Sequence, residues 1–290
     1  MEIYDSEMLY KDIAQYKQME SASVEIIGET VLKKPIYSVT VGKGPFLVHW
    51  NAGFHGNEWI TSKVIMDILG ELVEALEDGR ELEGLNVRKI FDQITLQVVP
   101  MVNMDGVDLA IHGLEKAGGY TDLILNCNQI NKTFTSWKAN IRGVDLNKQF
   151  PAGWKVEKER KPAQPSFRDF PGYAPLTEPE ARAMADLLKN NDIERVLCFH
   201  SQGEVIYFGY QNKRPMNSQR VVENFQRASG YEPICTFDSH AGMKDWFIDN
   251  YRKEGYTIEV GKGINPLPLS QYTSILNKVR PIALLSLLPN

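Results

Sequence analysis

"NAGFHGNEW", residues Asn51–Trp59, joins two runs of different period. Upstream, "SVEIIGETVLKKPIYSVTVGKGPFLVHWNAG" holds three β-rich runs punctuated by Gly-Glu, Lys-Lys-Pro and Gly-Lys-Gly-Pro, which read as consecutive strands. Downstream, Ile60, Val64, Ile68, Leu69, Leu72 and Val73 recur at helical spacing between Trp59 and Ala75, the pattern of an amphipathic helix packed on a sheet. His55 and Glu58 therefore sit in a strand-to-helix turn.

The same alternation continues along the chain. "ITLQVVPMVN" reads as a strand, and "TEPEARAMADLLKNN" as a helix opened by Thr177 and Glu180 at the spacing of a capping box. "RVLCFHSQG" and "VIYFGY" are strands, "NSQRVVENFQRASG" and "GMKDWFIDNYRKEG" are helices each ending at a glycine, and "YTIEVG" is a short strand before a final helical region around Leu269–Leu288. This order predicts an α/β fold: a single domain over residues 1–290, with a mixed, largely parallel twisted sheet flanked by helices on both faces. Residues 1–20 read as an N-terminal helical segment. Residues 114–170, rich in Gly, Asn, Lys and Pro, read as a loop-rich excursion inside the domain.

With 290 residues and 43% hydrophobic content, the chain is long enough to bury a large core. A net charge of -5, from 32 basic and 37 acidic residues, offers no electrostatic basis for binding nucleic acid or an anionic membrane surface. No apolar run reaches the length of a membrane span, and the charged opening "MEIYDSEMLYKDIAQYKQME" lacks the apolar stretch of a secretory leader. The expected location is the cytoplasm, or the cell wall or exterior if the chain is a piece of a longer protein. Cys127, Cys198 and Cys235 have no CxxC spacing, which argues against a disulfide framework or a cysteine zinc site.

In open α/β sheets, ligands bind beyond the carboxyl ends of the strands. Polar residues follow apolar strands at three places: His55 and Glu58 after "PFLVHWNAG", His200 after "RVLCF", and Glu259 after "YTI". Two histidines and a carboxylate form one ligand set of catalytic zinc, with a position left for water, and the remaining glutamate is then available as a base. Taken singly, His200 reads more readily as a core histidine, and Glu259 can be read as a buried ion-pair partner; it is their convergence on one sheet edge that points to a site.

Five stretches fall in order from about Gly53 to Val260: "HGNE", "NMDG" at Asn103–Gly106, "GVDLNKQFP" at Gly143–Pro151, "FHS" and "YTIEV". In that order they resemble the zinc carboxypeptidase family, with its H-x-x-E, N-P-D-G, G-V-D-L-N-R-N-F-P, second histidine and catalytic-glutamate strand. The resemblance implies one zinc per chain on His55, Glu58 and His200, and Glu259 as general acid and base in amide hydrolysis. It also implies an oxyanion-stabilising cation. By offset from Asn147 this is Lys138, with Arg142 as the competing and slightly preferred choice, because a guanidinium keeps its charge and donates two fixed hydrogen bonds.

Where the family has an Asn-Arg pair to grip a terminal carboxylate, this chain has Asn147 and Lys148, and lysine lacks the bidentate fork. Counting back from Glu259 matches the family's tryptophan to Trp246 and its pocket-determining residue to the neighbourhood of Lys244. The family's flexible tyrosine falls near Phe237, which carries no phenol, and His240 is a candidate for binding polar substrate groups. Asp145 reads equally as the acceptor that orients a ligand histidine and as a turn cap. A basic pocket of Lys244, Lys148 and either Arg142 or Lys138 suits a substrate with more than one carboxylate. "WKANIRGVDLN" followed by "QFPAGW" most resembles the bacterial γ-D-glutamyl-meso-diaminopimelate endopeptidases, implying a peptide substrate derived from the cell wall. A general metallocarboxypeptidase and a zinc-dependent N-deacylase on the same fold are the alternatives.

Overall fold

Asp5 accepts hydrogen bonds from the amides of Glu7 and Met8 and so starts the first helix, α1 (Ser6–Tyr16). The computed structural model describes residues 3–128, 131–235 and 238–289. After α1 come β1 (Ala22–Glu29), β2 (Pro35–Gly42) and β3 (Phe46–Asn51), then a short 3-10 helix (Gly56–Glu58) leading into α2 (Ile60–Asp78). Helix α2 ends where Gly79 takes a left-handed conformation, φ 68°. A small hairpin of β4 (Glu81–Leu82) and β5 (Leu85–Asn86) precedes α3 (Val87–Gln93), β6 (Ile94–Val99) and α4 (Met104–His112). Among its described residues the excursion has short helices, among them α5 (Thr121–Cys127) and α6 (Trp154–Arg160). The remainder is α7 (Pro179–Asn190), β7 (Ile193–His200), β8 (Val205–Phe208), α8 (Ser218–Ser229), β9 (Glu232–Ile234), α9 (Met243–Tyr251), β10 (Glu254–Glu259) and α10 (Tyr272–Ser286).

Eight strands form one mixed sheet in the order β1-β2-β6-β3-β7-β10-β8-β9. The centre, β6-β3-β7-β10, is parallel, and antiparallel pairs flank it on both sides. Strand alternation assigns the two faces. Tyr256 of β10 packs edge-on against Phe225 of α8, with ring centroids 5.4 Å apart, and Trp50 of β3 donates to Ser286 of α10 at 3.0 Å. The next residue position of β10 faces the other way: a Cβ built on Gly255 would lie 3.0 Å from Ile248 of α9. Helices α8 and α10 thus cover one face and α9 the other, as the alternating pattern predicts. Among the described residues, no helix is long and apolar enough to cross a membrane.

Local detail departs from expectation at three points. The capping box at Thr177 and Glu180 does not form; Glu178 precedes the first turn of α7, and Pro179 begins it. Gln149 Oε1 instead collects the Thr177 amide (2.7 Å), the Thr177 hydroxyl (3.0 Å) and the Glu178 amide (3.0 Å), so a contact across the fold displaces the local cap. Helix α9 stops at Arg252 in a left-handed conformation, φ 61°, and the glycine expected to end it, Gly255, lies inside β10. Helices α3 and α4 were not anticipated. The first is too short to show periodicity, and the second buries Asp105 and Asp108 on the face where apolar residues would be sought.

Candidate active site

Strands β3, β7 and β10 run parallel, so their carboxyl ends share one edge, and the register sets Glu259 beside His200. Beyond β3 the pairing continues through Ala52 N to Val99 O at 3.1 Å and Asn103 N to Gly53 O at 2.8 Å, which carries His55 over that edge. Gly56 and Gly106, one from each of two motifs, are needed for close approach. A Cβ on Gly56 would lie 2.3 Å from the Gly106 carbonyl oxygen, and one on Gly106 would lie 2.5 Å from that of Ala139. Asn103 Nδ2 donates to the carbonyls of Phe54 (3.2 Å) and Ala139 (3.0 Å), and Gly56 N donates to Lys138 O (3.0 Å). The histidine turn, the start of α4 and the excursion are thereby locked together by the Asn103 side chain and a backbone bond.

His55 Nδ1 lies 2.9 Å from Glu58 Oε1 and 3.2 Å from His200 Nδ1, and His200 Nδ1 lies 3.1 Å from Glu58 Oε2. His55 Nε2 faces Asp145 Oδ1 at 3.1 Å. Hydrogen bonding to Asp145 assigns the ring proton to Nε2 and leaves a lone pair on Nδ1. That lone pair, the facing Nδ1 of His200 and a carboxylate then converge at one point, with the three residues' donor atoms all within 4.8 Å of one another. Such a set needs a cation or a proton between its members, and two histidines with one carboxylate fit zinc. In the free protein a proton serves. Burial opposes charge on both His55 and Glu58, yet Glu58 holds the His55 pKa above its usual value and His55 draws Glu58 well below the carboxylate range. Burial pushes His200 the other way, down. Ser201 N donates to Glu58 Oε2 at 3.1 Å and Asn265 Nδ2 reaches Oε1 at 3.4 Å, so the ligand carboxylate is held from behind as well.

Asp145 plays both of the parts between which the sequence was evenly divided. It accepts from His55 and, through the same oxygen, from the Asn147 amide at 3.0 Å. Its other oxygen is 2.9 Å from Lys138 Nζ, which also pairs with Asp169 at 3.0 Å. Burial opposes the Lys138 charge, but Asp145, Asp169 and Glu58 together raise its pKa, so it stays an ammonium. Arg142 is elsewhere: its guanidinium lies 3.6 Å from Glu178, and its side chain is 42% exposed. Glu259 loses solvent around its carboxyl, and this, with the neighbouring Glu58 charge, pushes its pKa up to about 8.

A cavity of about 150 Å³ adjoins Glu259 and is lined by Asn147, Tyr207, Tyr210, Lys244, Asp245 and Thr257, among others. Lys244 is thus among the residues that line the space beside Glu259. Asn147 lines the same space while its Oδ1 accepts from the Met243 amide at 3.1 Å. Lys148 is buried and committed to Ser239 Oγ (2.7 Å), the His240 carbonyl (3.0 Å) and Glu157 (3.3 Å). Burial holds its pKa below the usual lysine value. His240 pairs with Tyr210 Oη at 2.9 Å and is set back behind that phenol. Phe237, matched to the family's flexible tyrosine, lies outside the described residues. Sequence reasoning missed Asp169, Asp245, Tyr210 and Asn265. Asp245 was accessible as the acid next to Lys244 at a helix start, whereas Asn265 gave no local signal.

Comparison with known proteins bears on this site. The sequence model of the zinc carboxypeptidase family matches residues 9–274. Gamma-D-glutamyl-L-diamino acid endopeptidase 1 of Lysinibacillus sphaericus is 44% identical over 288 residues, 98% of this chain and 72% of that protein. YqgT of Bacillus subtilis strain 168, described as uncharacterized, is 44% identical over 284 residues, 94% of this chain and 76% of that protein. Among solved structures, bovine thrombin-activatable fibrinolysis inhibitor in complex with tick carboxypeptidase inhibitor aligns with a TM-score of 0.76 at 20% identity, covering 99% of this chain and 96% of that one, a likeness of fold.

Proposed function

Since this chain belongs to the zinc carboxypeptidase family and is a metallopeptidase, we propose that it cuts the γ-D-glutamyl bond to meso-diaminopimelate in peptides of the bacterial cell wall. The L. sphaericus relative supports this reading by its name and by its similarity over nearly the whole chain. The observation that carries an endopeptidase over a carboxypeptidase is the fate of Lys148. It stands where an exopeptidase holds the C-terminal carboxylate, and its ammonium is already taken by Ser239, His240 and Glu157.

His55, Glu58 and His200 would hold one zinc. Bound there, zinc supplies a Lewis acid that acidifies a water and polarises the scissile carbonyl. Glu259 takes the proton of the attacking water and returns it to the leaving amine nitrogen. Lys138, kept charged by Asp145 and Asp169, stabilises the negative charge that develops on the carbonyl oxygen. Asp145 keeps His55 in one tautomer and ring orientation. The proposed reaction is hydrolysis without a covalent enzyme intermediate.

The test is hydrolysis of L-Ala-γ-D-Glu-meso-diaminopimelate by the zinc-loaded protein and by Glu259→Gln, with metal content measured on both. Cleavage at the γ-glutamyl bond by wild type, and a loss of about 10³-fold or more in a variant that still binds one zinc, is expected. A wild type that binds zinc, leaves this peptide intact and trims ordinary C-terminal residues would replace the reading with a carboxypeptidase.

A further inference from the structure

Tyr210, His240 and Asp238 stand in line behind the wall of the cavity. Tyr210 lines that cavity beside Glu259, and its Oη lies 2.9 Å from His240 Nδ1. The other ring nitrogen, Nε2, lies 3.4 Å from Asp238 Oδ1. An anion at Nε2 places the ring proton there, so in neutral His240 the acceptor is Nδ1 and the Tyr210 hydroxyl donates to it. The line is built in. Tyr210 is fixed by two backbone bonds with Lys213, both 2.9 Å, and His240 by its amide on Glu157 Oε1 (2.7 Å) and its carbonyl on Lys148 Nζ (3.0 Å). Gly153, at φ 65°, makes room at the bond itself, since a Cβ there would lie 2.7 Å from Tyr210 Oη and 2.9 Å from His240 Nδ1. Burial, with the charges of Asp245 and Glu157, raises the Tyr210 pKa to about 12, so the phenol keeps its proton.

We propose that Tyr210 touches the substrate, its oxygen accepting a hydrogen bond from an N–H of the peptide in the cavity, and that His240 is the positioning residue that sets this polarity. Neutral His240 takes the phenol proton and Gln211 Nε2 reaches Oη at 3.4 Å, which leaves one acceptor site on the oxygen. A second proton on His240 reverses the bond. Nδ1–H then donates to Oη, the hydroxyl turns its own proton toward the cavity, and a donor faces the substrate's donor. The charged groups around this pair are Asp238 on the same segment, Glu157 and Arg160 of α6, Lys148 of the excursion, and Asp245 of α9 on the phenol side. Arg160 joins Asp238 and Glu157, at 2.7 and 2.6 Å, so the frame holds while the ring changes charge. Lys148 and Glu157 thereby support the line instead of binding substrate. This role rests on the proposed place of Glu259 at the leaving amine.

The experiment measures kcat and KM of the zinc-loaded wild type, Tyr210→Phe and His240→Gln on L-Ala-γ-D-Glu-meso-diaminopimelate from about pH 5 to pH 9, a range in which histidine changes charge. Nitrogen NMR of the histidine side chains in wild type and Tyr210→Phe accompanies it. Glutamine accepts from the phenol but takes no proton, so His240→Gln stands for the neutral ring. Wild-type KM is expected to rise about 10-fold toward acid pH, the size of one hydrogen bond, while His240→Gln keeps the alkaline value and Tyr210→Phe the raised one throughout. The course of kcat with pH is expected to be common to all three, since they share Glu259, and NMR is expected to place the neutral His240 proton on Nε2. A flat wild-type KM, an acid rise that persists in both variants, or a neutral ring protonated on Nδ1 overturns the assignment. If the peptide binds but stays uncut, the γ-glutamyl reading falls and its calorimetric Kd replaces KM in the same comparison; if it does not bind, both fall. The wild-type NMR and pH series decide the matter even where a variant fails to fold.

Discussion

The edge where β3, β7 and β10 end and the excursion over residues 114–170 both deliver charged groups to the same cleft, by different means. At the edge the backbone does the positioning. His200 and Glu259 are terminal residues of paired strands, and His55 is carried there by the extension of β3. In the excursion, side chains hold side chains. Lys138 is placed between Asp145 and Asp169, while Lys148, ten residues on, is drawn away by Glu157 and Ser239. Two lysines of the same segment thus meet opposite fates, and their partners decide which one stays beside the histidine cluster.

Removing Lys138 gives the largest expected effect within this comparison. Lys138→Ala should lower kcat by about 10²- to 10³-fold with a smaller change in KM, since it removes charge stabilisation that matters most in the transition state. Equal losses in Arg142→Ala and Lys138→Ala would break the distinction drawn between them. Asp145→Asn cuts the link between the two regions. Zinc affinity, measured by competition with a chelator, should fall about 10- to 100-fold as His55 loses its orienting acceptor; unchanged affinity would make Asp145 a turn cap alone.

Lys148→Met probes the other lysine. It should cost stability, about 3 kcal/mol by denaturant unfolding, because a buried ion pair is broken. The loss is limited because Glu157 keeps Arg160 at 2.6 Å. A large rise in KM at unchanged stability would instead mean that Lys148 binds substrate. One further effect lies outside the cleft. Buried Glu180 accepts from the Val31 amide at 3.2 Å, and burial raises its pKa from 4.5 to about 8. Its folded pKa exceeds the unfolded one, so the stability it contributes is complete below pH 4.5 and is lost as pH rises through about 8. Relative to Glu180→Gln, wild type should weaken by about 3.5 kcal/mol between pH 5 and pH 8, read from paired unfolding curves. A constant difference would place an ionised Glu180 in the fold.

What could be read from the chain alone was whatever repeats at short range or ends a strand. The apolar face of α2, the runs forming β1, β2 and β3, and the polar residues that follow strands all follow periods of 3.6 and 2.0, which local sequence records. The resemblance of five ordered motifs added the candidate metal ligands and the candidate base. Other features depended on distant partners. Gln149 takes over the start of α7 from 28 residues away, and Ser239 captures Lys148 across 91 residues. Arg142 turns to Glu178, and Lys244 settles on Asp245 while reaching Gly209 of another segment. A charged side chain buried in a fold goes where a partner compensates its lost hydration, and that partner is chosen by topology. The residues that could hold zinc were therefore written in the sequence, while the partners of the neighbouring charges were decided by the tertiary structure.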